Sequence, residues 1–134
     1  MDHIAFKAAV ETCGYTYEDV AEILGTDLAT VKSWEQPAYP SAVPDEVEEF
    51  LEEAVRLHHE AIEYAVDKAV EAASKTGMQD KLRDNLAYYR TQHDYDVSWH
   101  GDVDPGPYTV ANARTRAAAE RLRALGFEVE FVAR

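Results

Sequence analysis

The sequence is short of cysteine, of long apolar runs and of basic segments, and each shortage excludes something. Cys13 is the only cysteine among 134 residues, so no disulfide can form within the chain and a disulfide-stapled secreted scaffold is excluded. The N-terminus lacks the charged, apolar and small-residue series of a secretory signal, which with the lone cysteine points to the reducing cytoplasm. No apolar run approaches the roughly 18 residues that a membrane-spanning helix needs, so a soluble protein with no membrane partner is expected. The six glycines are dispersed at helix or turn ends, and none of them builds a phosphate-cradling loop.

Positive charge is scarce as well. The chain has 26 acids against 13 bases, a net charge of −13, shared as −5 over residues 1–44, −7 over 45–76 and −1 over 77–134. No segment is basic, so the broad positive surface of most nucleic-acid-binding proteins is not expected. What is present is an ordinary globular mixture, 46% hydrophobic and 29% charged, long enough for one domain or for a very small domain with an accessory one.

Residue clusters that invite a chemical reading lack the spacing that chemistry requires. His58, His59 and Glu60 are adjacent, and adjacent helical residues point about 100° apart, so they cannot converge on zinc as the His-Glu-x-x-His pattern does. His93, Asp94, Asp96, His100, Asp102 and Asp104 lack the order of acids, glycine and terminal glutamate of a calcium loop and read as a solvated loop. Cys13 falls on an apolar helix face beside no predicted base, which is the setting of packing and not of a nucleophile. No catalytic residue, metal or cofactor is expected, and the chain is not expected to be an enzyme.

Along the first forty residues the apolar periodicity is helical. Phe6, Ala9, Val10 and Cys13 recur at three- and four-residue steps over residues 3–13, and Gly14 ends that helix. Thr16 caps a second helix carrying Val20, Ala21, Ile23 and Leu24, which Gly25 stops. Asp27 caps a short third helix in which Val31 and Trp34 face inward and Leu28, Ala29, Thr30, Lys32 and Ser33 share the remaining surface. Pro37, Pro40 and Pro44 make residues 36–44 a connector, since proline forbids a regular helix interior. Pro44 then opens one long helix with apolar residues at Val47, Phe50, Leu51, Ala54, Val55, Ile62, Ala65, Val66, Ala69 and Val70, and Gly77 lies beyond its end. That spacing suits either an intramolecular packing face or an antiparallel pairing seam.

The rest reads as strand, helix, strand: a strand at about Leu86–Thr91, an irregular loop through HGDVDPGP, a helix from Tyr108 to Leu125 and a strand at Phe127–Val132. Phe127, Val129 and Phe131 alternate with Glu128 and Glu130, the mark of a half-exposed strand at an edge or in an antiparallel pair. Two strands alone are marginal, so a second copy of the chain is expected to complete the sheet and make a homodimer.

Residues 14–35, GYTYEDVAEILGTDLATVKSWE, resemble the phage-repressor type of helix-turn-helix in their helix, glycine turn, helix and terminal Trp-Glu. Ala21 permits a close helix crossing, Gly25 the positive φ of the turn, and Val31 and Trp34 anchor the last helix. The resemblance implies double-stranded DNA as partner. The third helix would enter the major groove with Lys32, Thr30 and Ser33 touching DNA and Leu28 and Ala29 meeting thymine methyl groups, while Thr16, Tyr17 and Asp27 stand at the helix starts near phosphate.

Residues 41–54, SAVPDEVEEFLEEA, and YYRTQHDY, with Tyr88, Tyr89, Thr91, Asp94 and Tyr95, resemble the YdiL-like proteins and the anti-CRISPR-associated autorepressors. That resemblance implies a DNA-binding unit, a C-terminal dimerisation unit and repression at an inverted-repeat operator, with Leu86, Tyr88, Tyr89, Tyr95, Phe127, Val129 and Phe131 at the dimer contact. The longer acidic middle helix and the longer loop at Asp102–Pro107 depart from the family pattern. The expected fold is mainly α with a small α+β C-terminal part. It comprises an N-terminal helix-turn-helix bundle and long acidic helix over 1–76, then a C-terminal β-α-β dimerisation domain over 77–134. The competing reading is a protein-interaction module or antitoxin-like regulator that keeps the helix-turn-helix as scaffold and binds a protein partner through its acidic surface.

Overall fold

The computed structural model describes residues 1–36, 43–76 and 83–133. The chain runs α1 (His3–Cys13), α2 (Tyr17–Leu24), α3 (Leu28–Ser33), α4 (Asp45–Thr76), β1 (Arg83–Tyr88), α5 (Gln92–Asp96), α6 (Trp99–Val103), α7 (Tyr108–Ala124) and β2 (Glu128–Ala133). It is mainly helical, with one small sheet near the C-terminus. Pro37, Pro40 and most of the connector, and the Gly77 stop, lie outside the described residues. Contacts divide the chain into two compact units, Met1–His58 and His59–Arg134, so the division falls inside α4 and not after residue 76. The physical reason is that α4 supplies core residues to both units: Val47 and Leu51 to the first, Ile62, Val66 and Ala69 to the second.

In the first unit each short helix is ended or begun by a local device. The Asp2 carboxylate accepts from the Ala5 amide and starts α1, and its apolar stripe buries Phe6, Val10 and Cys13. Val20 and Ala21 of α2, Val31 and Trp34 at α3, and Val43, Val47 and Leu51 close the core around them. Ile23, assigned to the inner stripe of α2 by its spacing, is 48% exposed, because the crossing presents only Val20 and Ala21 squarely to the core.

The seam of α4 departs from the apolar pattern at one position. Its buried residues are Val47, Leu51, Ala54, His58, Ile62, Val66 and Ala69, so His58 occupies the seam between Ala54 and Ile62 while His59 faces out. Val70, counted with the apolar face in the sequence, is 42% exposed.

The second unit packs α7 and the later part of α4 around Ile62, Val66, Ala118, Leu122 and Phe127. Its two strands are parallel, in register Arg83↔Glu128 through Tyr88↔Ala133, so β2 is an edge strand and not an antiparallel partner. Parallel pairing requires a crossover, and α7 lies within it. β1 begins and ends three residues earlier than expected because the chain turns inward at Tyr89. The Asn112 side chain accepts from the Tyr89 amide at 2.9 Å and donates to the Tyr89 carbonyl at 2.8 Å, occupying both groups that a further sheet partner would use.

The segment expected to be an irregular loop contains α5 and α6. Thr91 Oγ1 accepts from the Asp94 amide at 3.1 Å and Ser98 Oγ from the Gly101 amide at 3.0 Å, so each short helix has its own cap. Gly101 is dictated by close approach: a Cβ there would lie 1.9 Å from the Tyr95 carbonyl oxygen.

Candidate nucleic-acid interface

The eight residues assigned to DNA contact lie at the starts of α2 and α3 and along α3, all in the first unit. Their placement is built from the caps upward. Thr16 Oγ1 accepts from the Asp19 amide and the Asp19 carboxylate accepts from the Thr16 amide, both at 3.0 Å, a reciprocal box that fixes the entry to α2. Gly25 has φ 66° and its Cβ position is open, so the turn requires glycine for its backbone conformation and not for space. The Thr26 amide then donates to Ala21 and the chain reverses into α3. Asp27 starts α3 by accepting from the Thr30 amide at 2.7 Å. The Thr30 side chain and then its amide, both bonded to Asp27, hold that carboxyl below the ordinary carboxylate range.

Two inward residues hold α3 to its unit. Val31 is fully buried, and Trp34 meets the edge of Phe6 at 5.8 Å with the rings 82° apart. The Trp34 carbonyl can only accept, so the 2.7 Å bond from His3 Nδ1 places a proton on that nitrogen. Facing outward, Ala29 and Lys32 are exposed, and Leu28, Thr30 and Ser33 are half-buried. The Ser33 hydroxyl donates to the Thr30 carbonyl at 2.5 Å and is engaged within the helix. Lys32 makes no ion pair among the described residues.

Tyr17 is used differently from what its position suggested. Its ring stacks on Phe6, with centroids 5.9 Å apart and planes 21° apart, and its hydroxyl donates to the Glu35 carboxylate. Burial first, then the bond to Glu35 and its charge, push the Tyr17 hydroxyl far above the ordinary tyrosine range. Lys7 lies 3.9 Å from the same Glu35 and 3.0 Å from Glu11. Tyr17 is therefore a packing residue tied to an acid.

The electrostatics of this face are sparse. Residues 14–35 carry five acids and the single base Lys32. At the starts of α2 and α3, where amides would attract phosphate, a carboxylate is already bonded: the Thr16 amide donates to Asp19 and the Thr30 amide to Asp27. What the face offers a duplex is shape, one ammonium and small apolar side chains.

The seven residues assigned to a dimer contact divide by burial. Tyr89, Tyr95 and Phe127 are buried within this one chain: Tyr89 and Tyr95 meet edge to face at 5.0 Å, and the Tyr95 hydroxyl donates to the Asp104 carbonyl at 2.5 Å. These three belong to the unit's own core. Leu86, Tyr88 and Val129 are half-buried, and Phe131 is 43% exposed. Tyr88 and Phe131 pack ring to ring at 5.2 Å across the register of the two strands.

Sequence reasoning missed Asn112, whose clamp on Tyr89 sets the end of β1. A buried asparagine in the interior of a helix was the available signal, since that residue favours caps and turns unless a partner holds it. It also missed α5 and α6, although Thr91-x-x-Asp94 and Ser98 are capping patterns. Among the described residues no three His, Cys, Asp or Glu side chains are grouped to hold a metal ion, and no helix is long and apolar enough to cross a membrane. No protein-family model matches the chain, and no curated protein matches it.

Proposed function

We propose that the chain is a dimeric, sequence-specific DNA-binding regulator of transcription, a repressor in the manner of the proteins it resembles, and not an enzyme. One observation carries the reading: α2 and α3 are joined through a left-handed Gly25, α3 is held from within by Val31 and Trp34, and its Ala29 and Lys32 face solvent. In this reading α3 lies in the major groove of an operator half-site. Lys32 meets phosphate or a guanine edge, Thr30 reaches an adjacent base or phosphate, and Leu28 and Ala29 meet thymine methyl groups. With one base on the face, a single unit binds weakly, and two half-sites read by a dimer supply the missing contacts.

The test is a mobility-shift titration of the full chain on duplexes selected from a random pool and on its own upstream DNA, at several salt concentrations. Lys32→Ala is expected to weaken binding and, if Lys32 meets phosphate, to reduce the salt slope by about one. No retention of any duplex at the lowest salt, or an affinity indifferent to both Lys32→Ala and Thr30→Ala, overturns the reading. A second reading, an acidic protein-interaction module on the same scaffold, is favoured by the Asp19 and Asp27 carboxylates that accept from the Thr16 and Thr30 amides at the two helix starts, and by the thirteen acids against three bases of residues 1–58. Retention of a specific protein with no retention of DNA selects it.

A further inference from the structure

The second unit carries two exposed surfaces of opposite character. The first is apolar with an acidic rim. Val97, Trp99 and Val103 are 69%, 72% and 57% exposed. Trp99 and Val103 stand four residues apart on α6 and share one face, and Asp102 flanks it. Asp96, exposed beside Val97, receives only the amide of Gln92 at 2.9 Å, and neither aspartate has a cation partner among the described residues. A large exposed tryptophan flanked by valines has the character of an interface anchor.

The second surface is aromatic with a basic rim. Arg116 and Arg123 lie seven residues apart on the same face of α7. Arg83, Arg114 and Arg121 are matched by Glu128, Asp104 and Glu63, but Arg116 and Arg123 have no carboxylate partner among the described residues. Instead Arg116 donates to the Tyr88 hydroxyl at 2.7 Å, and the Arg123 guanidinium stands 5.5 Å from the centre of the Phe131 ring. Glu120, between them in the helix register, leaves the face net positive.

We propose that these surfaces recognise each other between two copies of the chain: Trp99 and its valines on one copy seat against Tyr88 and Phe131 of the other, with Asp96 and Asp102 facing Arg116 and Arg123. Every molecule carries both members of the complementary pair, so a dimer with a two-fold axis can make the contact twice, and closure at two copies is part of the proposal. Stacking the tryptophan surface on its own copy would oppose Asp102 to Asp102, and stacking the arginine surface on itself would oppose guanidinium to guanidinium. Only the crossed arrangement matches apolar centre to aromatic centre and acid to base. The inference rests on the dimeric reading above and names its interface, which uses side-chain surfaces and not the open strand edges.

The experiment is sedimentation of the full chain without DNA across a concentration series. The wild type is expected to dimerise, and Trp99→Ala to weaken the dimer at least tenfold with its circular dichroism unchanged. Two charge-reversed variants give the decisive arm. Asp96→Arg with Asp102→Arg makes both surfaces positive, and Arg116→Asp with Arg123→Asp makes both negative. Each is expected to be monomeric alone, and an equimolar mixture to form heterodimers, a rescue that misfolding cannot produce. A wild type monomeric throughout, a dimer indifferent to Trp99→Ala, charge variants that dimerise alone, or a mixture that stays monomeric each overturns the proposal. A monomer that still retains duplex DNA sinks this interface and leaves the DNA reading standing; a crossed dimer that retains none does the reverse.

Discussion

The two units hold themselves together by different means. In residues 1–58 the helices start and stop on bonds spanning three to five residues: Asp2 to Ala5, Thr16 to Asp19, Thr26 to Ala21, Asp27 to Thr30. In residues 59–134 the decisive bonds join distant positions. β1 pairs with a strand 45 residues later, Asn112 grips Tyr89, and Arg121 reaches Glu63 at 3.3 Å. Charge differs too, −10 over residues 1–58 against −3 over 59–134, so the first unit carries most of the chain's self-repulsion. A unit assembled from locally decided helices can form its elements before its core; a parallel pair joined by a crossover must bear the entropy of a long loop before any ladder bond forms.

The largest way to break that comparison is to open one core and watch the other. Phe6 is fully buried against Tyr17 and Trp34, and Phe6→Ala is expected to cost about 3–5 kcal/mol. If the units are separate in stability, amide exchange accelerates in α1–α3 while the β1 and β2 amides keep their protection. Leu122→Ala, at about 2–5 kcal/mol, should give the mirror image. Equal loss of protection in both units after either substitution would show one cooperative fold.

A smaller effect is expected at the clamp that distinguishes the second unit. Asn112→Ala orphans the buried amide and carbonyl of Tyr89, at about 1–3 kcal/mol for each group left unsatisfied. The Tyr89 amide should lose its exchange protection and the Tyr89–Tyr95 ring pair its fixed geometry, read from the aromatic resonances. An unchanged melting temperature would mean that Asn112 follows the end of β1 and does not set it.

What could be read from the sequence follows the same division. The limits of α1, its buried stripe and the caps at Thr16, Gly25 and Asp27 were legible because each is decided within a few residues. The start of α7 at Tyr108 was also placed from the sequence, although no side chain caps it locally and the Tyr108 amide donates to Gln92 Oε1, 16 residues back, at 3.0 Å. The strand β1 was displaced because its limits depend on Asn112, 23 residues away from Tyr89, and no local pattern encodes that bond. Phe127, Val129 and Phe131 alternate as a strand should, but Phe127 precedes β2 and turns into the core, since its amide donates to the Leu122 carbonyl at 3.0 Å. Of the candidate DNA face, the outward exposure of Ala29 and Lys32 could be read, but the use of Tyr17 could not. Its partner Glu35 is 18 residues on and comes within reach only when α1, α2 and α3 close around Phe6.

Tyr17 also gives the finest test of the comparison, because each unit holds a tyrosine above its ordinary range, with the hydroxyl bonded to a carboxylate in the first and to a backbone carbonyl in the second. In the first unit burial comes first and the Glu35 carboxylate adds to it; in the second, burial again comes first at Tyr95, followed by the charge of Asp104. A folded-state pKa raised above the unfolded value favours the neutral phenol, so the stabilisation is fully present below pH 10.0 and is lost as pH rises through the folded values. Since Tyr17 is raised further, its contribution should persist to higher pH than that of Tyr95. Tyr17→Phe keeps the ring against Phe6 and removes only the bond to Glu35. Near neutral pH it is expected to cost about 1 kcal/mol, the scale of one partly exposed hydrogen bond. Above pH 10 the variant should lose less stability with each further step than the wild type, as its half-buried ring has no proton to give up. A denaturant series at neutral and alkaline pH, with ultraviolet titration of the phenolates, separates the two tyrosines. Parallel pH profiles for wild type and variant would mean that neither burial nor the Glu35 carboxylate raises the Tyr17 hydroxyl in the folded chain.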